Sequence, residues 1–353
     1  MDDVSTEGIS TTFLADSLLR SHGLRARDFA FLGGEWDRNY RLTTDAGETY
    51  LVKVHFPVRD VAELHWQEAI LVHLEGKDPG VAVPRIVRAL DGARHVALHV
   101  GDDRGLVRVL HWVWGTELSR VGEHSTALLH HIGATAAAVS SALAGFTSPT
   151  FHQTHHWDLA RSGDVIRDAL DADPVLAGEF GAEVVLSRLA AVEPILAALP
   201  RTVVHHDLND NNVLVGTVEG RQRVSGVLDF NDALHGMRVA EPAIAGAYAM
   251  LRKDDPLWAL GHVVAGYHAV TRLTDGEIDA IFPLATARLC MQVLTWTVRA
   301  RTQPTAYGAM RMQHTVPALA RLLGVAPAHA AERLHAACAE AETRCRTGES
   351  EPR

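Results

Sequence analysis

Val203-Val-His-His-Asp-Leu-Asn-Asp-Asn-Asn-Val-Leu-Val215 sets a polar loop between two apolar strands. Inside it His205, Asp207 and Asn212 form an H-x-D-x-x-x-x-N pattern. An Asp in such a loop accepts or orients the proton of an acceptor hydroxyl, and an Asn five residues on reaches a Mg2+ ion. The competing reading is a hairpin turn rich in Asn and Asp, residues that favour turns by bonding their own backbone. So many polar groups between buried strands call for a purpose, and phosphoryl transfer supplies one.

Downstream, Val224-Ser-Gly-Val-Leu-Asp-Phe-Asn231 is an apolar strand ending in Asp-Phe, as in the D-F-G metal motif. A carboxylate there, aimed at the same place as Asn212, would complete a Mg2+ site, since Mg2+ takes few protein oxygens plus phosphates and water. Asn231 stands where Gly is usual; Asn best tolerates a left-handed backbone, so little loss is expected. Asp232 follows as a possible further carboxylate.

Upstream, Tyr50-Leu-Val-Lys-Val54 carries Lys53 on an alternating strand ahead of a helical pattern over residues 61–75. Glu68 sits mid-helix, with Glu63 and Glu75 as rivals. A Lys–Glu pair so arranged positions the α and β phosphates. Gly33-Gly-Glu-Trp-Asp-Arg-Asn39 follows the first strand; Gly allows close backbone approach to phosphate, although the segment lacks the full G-x-G-x-x-G.

Around these motifs, a short amphipathic helix is expected over residues 8–22. Strands are expected at Phe29–Leu32, Asn39–Thr43, Thr49–Val54, Ile86–Leu90, Val96–Val100 and Leu106–Trp114. Beyond Gly115 the chain turns helical, with Ser125 as an N-cap and an apolar stripe from Leu129 to Leu143. Residues 181–199 are helical, residues 203–230 rich in β-structure, and Pro242–Ala337 helical again. The order of elements is α+β: residues 1–114 as a small β-rich lobe with one long helix, residues 115–340 as a larger helical lobe, and residues 341–353 as a flexible tail.

These pieces stand in the order of one known family. The chain resembles the aminoglycoside phosphotransferase and choline kinase superfamily over roughly residues 10–335, and the resemblance implies a protein-kinase-like fold. It implies Asp207 as catalytic base, Asn212 and Asp229 as Mg2+ ligands, and Lys53, paired with Glu68, as phosphate holder. His205 would brace the catalytic loop. Gly33 and Gly34 would approach the nucleotide, and His111, Trp112 and Val113 would form the hinge that grips the purine. His156-Trp-Asp-Leu159, the segment 207–212 and Ala247-Tyr-Ala-Met-Leu251 look most like the hydroxylysine-kinase-like branch, which phosphorylates a hydroxyl on an amino acid and can use GTP.

The resulting expectation is a kinase with Mg2+ and ATP or GTP that acts on a small, amine-bearing hydroxyl acceptor. The alternatives are an antibiotic phosphotransferase for an aminoglycoside or nucleoside drug, and a pseudokinase without turnover. No A-P-E-like segment follows Asp229, against a protein kinase. Asp158, Asp232, Glu241 and Tyr307 fall where the helical lobe could line a substrate cleft, Asp232 as an extra carboxylate for metal or substrate; as structural residues Asp158 would be a helix cap, Glu241 a first-turn carboxylate and Tyr307 a packed aromatic.

Composition sets the outer bounds. The 353 residues carry a formal charge of −10, against a nucleic-acid binder with its basic face. Apolar residues make up 47% and charged residues 22%, ordinary globular usage. The three Cys (Cys290, Cys338, Cys345) match no zinc ribbon and suit a reducing, cytoplasmic compartment. None of the 21 His has H-E-x-x-H spacing. No uninterrupted apolar run of about 18 residues appears, so no membrane partner is expected.

Overall fold

A computed structural model describes residues 9–34, 37–56, 58, 61–100, 103–148 and 154–347. The chain divides into two units. One comprises Met1–Lys77, Val83–Val113 and Ser148–Thr150; the other comprises Asp78–Ala82, Trp114–Thr147 and Phe151–Arg353.

The first unit begins with α1 (Thr11–His22), which stops at Gly23 because its φ of 71° lets the N–H turn back to Leu18 and Leu19 carbonyls. Then come β1 (Ala26–Gly33), β2 (Arg38–Thr44), β3 (Thr49–His55), α2 (Val61–Glu75), β4 (Ile86–Val87), β5 (Val96–Val100) and β6 (Asp103–His111). The antiparallel sheet runs β1-β2-β3-β6-β4, with β5 also on β6. Period-two alternation puts Tyr40, Leu42, Val52, Val54, Val107 and Val109 into one core with Leu14 and Leu18 of α1. Lys53 and Arg108 therefore take alternate positions to that set, and they face each other across the β3–β6 ladder.

Two strands are shorter than their apolar patterns suggest. β6 ends at His111, opposite Tyr50; Thr49, the one β3 residue beyond it, pairs with Thr43 of β2 alone, and Trp112–Trp114 join no ladder. β4 is limited to Ile86 and Val87, which pair with Leu110 and Val109; β5 occupies β6 from Val107 downward.

The second unit opens with β7 (Thr116–Glu117) and α3 (Thr126–Leu143). Ser125 caps α3 by accepting the Leu128 N–H at 3.1 Å. Next are α4 (Ser162–Ala172), α5 (Leu176–Glu179), α6 (Ala182–Leu196), β8 (Arg201–Val204), β9 (Val213–Val218), β10 (Arg221–Val227) and β11 (Leu234–Met237). β10-β9-β7 form one small sheet, and β8 with β11 a two-stranded ribbon. The helices α7 (Ala240–Ala249), α8 (Pro256–Val270), α9 (Asp275–Thr302), α10 (Ala306–Leu323) and α11 (Pro327–Thr347) complete it.

α3 and α8 cross where neither has a side chain. A Cβ on Gly133 would lie 1.8 Å from the Val263 carbonyl, and one on Gly266 would lie 1.9 Å from the His130 carbonyl. α9 is long and apolar enough to cross a membrane, yet 94% of its most apolar window is buried within the protein. α11 corrects the expected tail: it runs to Thr347, with Ala341 buried and the Glu342 carboxylate bound to His268 (3.0 Å) and Arg272 (2.8 Å). Residues 348–353 lie outside the described residues.

Candidate active site

The loop 205–212 leaves β8 and returns into β9. His206 takes a left-handed φ of 66° at its start. The backbone is held there from below: the His206 N–H donates to Glu241 Oε1 at 2.8 Å, and His206 Nε2 accepts the Leu159 N–H at 3.0 Å. The turn reverses the chain so that the next side chain, Asp207, leaves the buried ribbon and stays partly exposed.

Three side chains then hold the Asp207 carboxylate. Arg288 Nη2 of α9 donates to Oδ1 at 2.6 Å. Asn212 Nδ2 and Asn209 Nδ2 donate to Oδ2 at 2.7 and 2.9 Å. Asn212 Nδ2 also reaches the Asp207 carbonyl at 2.9 Å, which ties the two ends of the H-x-D-x-x-x-x-N pattern together. Asn209 Oδ1 accepts the Asn211 N–H at 2.8 Å, an Asx turn. The turn reading is thus right for Asn209, and the turn it makes is what aims Asp207 and Asn212.

His205 joins this loop to the strand end at Asp229. Its Nδ1 accepts the Asp207 N–H at 3.2 Å, so the proton sits on Nε2 and is donated to the Leu228 carbonyl at 2.8 Å. Burial pushes its pKa down, partly offset by Asp207, and keeps the ring neutral for this task. Phe230 packs on the same ring at 4.4 Å between centroids. The Leu228 N–H donates to the Asn212 carbonyl at 2.8 Å, placing Asp229 one residue from the loop. The left-handed residue of Asp229-Phe-Asn231 is Asp229, at φ 57°, and not Asn231. Asp is among the few non-Gly residues that take this conformation readily.

Arg288 is the residue the motifs did not indicate. It is 3% exposed and stacks over Trp157 at 4.7 Å. It donates to the Trp157 carbonyl (3.2 Å) and the Tyr248 hydroxyl (3.3 Å). Burial works against its charge, and Tyr248, Asp207 and Asp232 outweigh that and raise its pKa further. A lone Arg inside the apolar run Leu284–Leu294 is a signal that sequence reading can use, because a buried charge needs a partner. Behind the loop, Asp210 pairs with buried Arg311 at 2.7 Å, and Gln292 bonds the Tyr248 hydroxyl at 2.6 Å.

The substrate candidates separate. Asp158 is 5% exposed and caps the 3-10 turn Leu159–Arg161 by accepting the Ala160 N–H at 2.9 Å, so its carboxylate is structural. Glu241 is fully buried beneath the loop 205–212 and is no substrate contact. Tyr307 is 48% exposed at the start of α10, with its ring edge-on to Trp296. Asp232 is half-buried, and its carbonyl accepts His155 Nε2–H at 2.9 Å.

Burial raises the Glu241 carboxyl to about 8; the Asp207 charge adds to this, while the His206 and His205 N–H groups oppose it. Below its ordinary value of 4.5 the group is protonated in both folded and unfolded chains. Between there and about 8 only the folded chain keeps the proton, so stability falls by roughly 1.4 kcal/mol per pH unit as pH rises. Glu241→Gln cannot ionise; its melting temperature is expected to gain on the wild type's between pH 5 and 8. Parallel curves would show that Glu241 is already ionised in the fold.

In the first unit, Gly34 has φ 145°, and a Cβ there would lie 1.9 Å from the Asp37 carbonyl, so the bend needs Gly. Gly33 closes β1 opposite Asn39. Glu35 and Trp36 lie outside the described residues. His111 ends β6, with its N–H on the Arg85 carbonyl at 2.9 Å; Trp112 and Val113 follow as irregular, half-buried backbone. The expected Lys53–Glu68 pairing is replaced. Lys53 Nζ lies 3.3 Å from Asp37 Oδ2, and Glu68 Oε1 is taken by His95 Nδ1 at 2.7 Å. His95 stands just ahead of β5, and its ring nitrogen occupies the Glu68 carboxylate.

Comparison with known proteins identifies the architecture. The profile of the phosphotransferase enzyme family matches residues 28–275, more than half of the chain. The chain belongs to this family. Hydroxylysine kinase of Danio rerio is 27% identical over 302 residues, 82% of this chain and 84% of that protein. Hydroxylysine kinase of Xenopus laevis is 33% identical over 199 residues, about half of each chain's length (53% and 53%). Among solved structures, a microcompartment-associated aminopropanol kinase matches with a TM-score of 0.64 at 20% identity, covering 95% of this chain and 98% of that one. An amicoumacin kinase in complex with AMP-PNP and Ca2+ matches with a TM-score of 0.64 at 16% identity, covering 92% and 93%. The fold is the protein-kinase-like α+β fold of these phosphotransferases.

Proposed function

We propose that this family member transfers the γ-phosphate of ATP or GTP to a hydroxyl of a small, amine-bearing acceptor of the hydroxylysine type. The observation that carries the chemistry is the Asp207 carboxylate, held at both oxygens and tied by Asn212 to the strand end of Asp229. The acceptor class is supported by the two hydroxylysine kinase relatives.

Asp207 orients the acceptor hydroxyl and takes its proton as the bond to phosphorus forms. Arg288, Asn209 and Asn212 fix the carboxylate, so little reorganisation accompanies the step. The Asn212 amide nitrogen is committed to Asp207, which leaves Oδ1 as the atom it offers a cation. With the Asp229 carboxylate this makes a two-oxygen, hard donor set, which fits Mg2+. Bound there, Mg2+ would neutralise charge on the β and γ phosphates. Lys53 would hold the α and β phosphates.

The test is nucleoside-diphosphate release by the purified protein with Mg2+, ATP and GTP in parallel. The acceptor panel contains hydroxy-amino acids, amino alcohols, aminoglycosides and nucleoside antibiotics. Release that depends on a hydroxy-amino acid or amino alcohol is the expected result; release only with an antibiotic would replace the acceptor, and none with any would remove the kinase reading. Asp229→Ala is expected to abolish the gain in nucleotide affinity that Mg2+ confers. If that gain persists, Asp229 holds no metal.

A further inference from the structure

Lys53 and Arg108 stand directly opposite each other in the β3–β6 ladder, 6% and 1% exposed. Like charges directly opposite on a sheet repel, and burial sharpens the cost of each unpaired charge. A carboxylate between them offsets that repulsion. Asp37, at the mouth of β2, does so: its Oδ2 lies 3.3 Å from Lys53 Nζ and 3.9 Å from Arg108 Nη2.

The carboxylate is itself anchored. Its Oδ1 meets His55 Nδ1 at 2.6 Å. Arg108 Nη2, which can only donate, lies 2.9 Å from His55 Nε2 and 2.7 Å from Gln67 Oε1. His55 Nε2 therefore accepts, its proton sits on Nδ1, and it is donated to Asp37. Burial alone would raise the Asp37 carboxyl; the His55 hydrogen bond and the Lys53 and Arg108 charges overcome this and hold it well below the usual carboxylate range. Asp37 is thus a fixed anion with three partners. Glu68, 2% exposed on α2, is spent on His95.

We infer that Asp37, and not Glu68, is the carboxylate that positions Lys53 for the nucleotide phosphates. This rests on Lys53 being the phosphate holder. Asp37 follows the glycine segment expected to approach the nucleotide, past the bend that needs Gly34. Asp37 is a positioning residue: it acts through Lys53.

The experiment is calorimetric titration of the Mg2+ complex of a non-hydrolysable ATP or GTP analogue into the full chain. The variants are Lys53→Met, Asp37→Asn and Glu68→Gln, each with steady-state kinetics. Asp37→Asn is expected to bind about tenfold more weakly or worse, raising KM for nucleotide while KM for acceptor stays within about threefold. Glu68→Gln is expected to change nucleotide affinity less than about threefold. Because Asp37→Asn removes the negative charge between two facing cations, it is paired with Asp37→Asn/Arg108→Met, read against Arg108→Met alone. The double variant is expected to melt near the single one and still bind more weakly. A larger loss in Glu68→Gln than in Asp37→Asn would overturn the inference, as would Asp37→Asn binding as tightly as wild type or tighter. Undiminished binding by Lys53→Met would instead remove Lys53 from the nucleotide site, and the inference with it.

Discussion

Asp207→Asn is expected to lower kcat by about a thousandfold, within the range a positioned acid–base group contributes. Asn keeps the shape and can still meet Asn209 and Asn212 after an amide rotation, so the loop should survive. What is lost is the charge that takes the hydroxyl proton and the partner of Arg288 Nη2, 2.6 Å away. Affinity for Mg2+-nucleotide should stay within about threefold, since the Asp229 and Lys53 side chains are unchanged. Single-turnover assays beside nucleotide titration separate the two. A variant with near-wild-type turnover would remove Asp207 from the reaction.

Arg288→Met is expected to fail in two ways at once. Turnover should drop by about a hundredfold, because Asp207 loses the donor that fixes Oδ1. Stability should drop too. Breaking a buried ion pair costs about 3–5 kcal/mol, and Asp207 keeps 17% side-chain exposure, so the lower end applies. The pairing separates positioning from mere structure. Asp207→Asn/Arg288→Met should be little slower than Asp207→Asn alone, because both changes remove the same held carboxylate. Arg288→Lys should recover part of the turnover, as Lys restores the charge without the planar fork over Trp157. Multiplicative kinetic losses in the double variant would show that Arg288 acts elsewhere than on Asp207.

How far the sequence reaches is clear from particular residues. The segment 203–215 could be read as a loop between strands because its apolar flanks are short, β-branched and sharply bounded. Asp207, Asn212 and Asp229 lie in two local motifs of one loop each, where spacing along the chain equals spacing in space. His205 as a brace was also legible, since it sits two residues from Asp207. Asn231 was assigned the left-handed turn by its residue type, and the structure gives that turn to Asp229, because the hydrogen bond from Leu228 to Asn212 fixes where the strand ends.

Contacts between distant elements were not legible. Glu68 had the right residue type at a fitting spacing from Lys53, and Asp37 took that place because a cross-strand register puts Arg108 opposite Lys53. Glu241 looked like a first-turn carboxylate and is a buried one, under a loop 35 residues away. Arg288 lies 81 residues from the Asp it holds.

By itself the sequence determined the α+β order of elements, the two polar loops with their Asp and Asn residues, and the cap that starts α3. Each depends on hydrogen bonds and side-chain periodicity within about a dozen residues, which chain order specifies directly. Tertiary structure alone decided the partners of the charged groups: Arg288 for Asp207, Asp37 for Lys53, His95 for Glu68, and burial for Glu241. The reason is that a charge inside a fold goes to whichever opposite group packing brings within about 4 Å, where the low dielectric makes that choice worth several kcal/mol. Residue type and spacing along the chain leave that distance open.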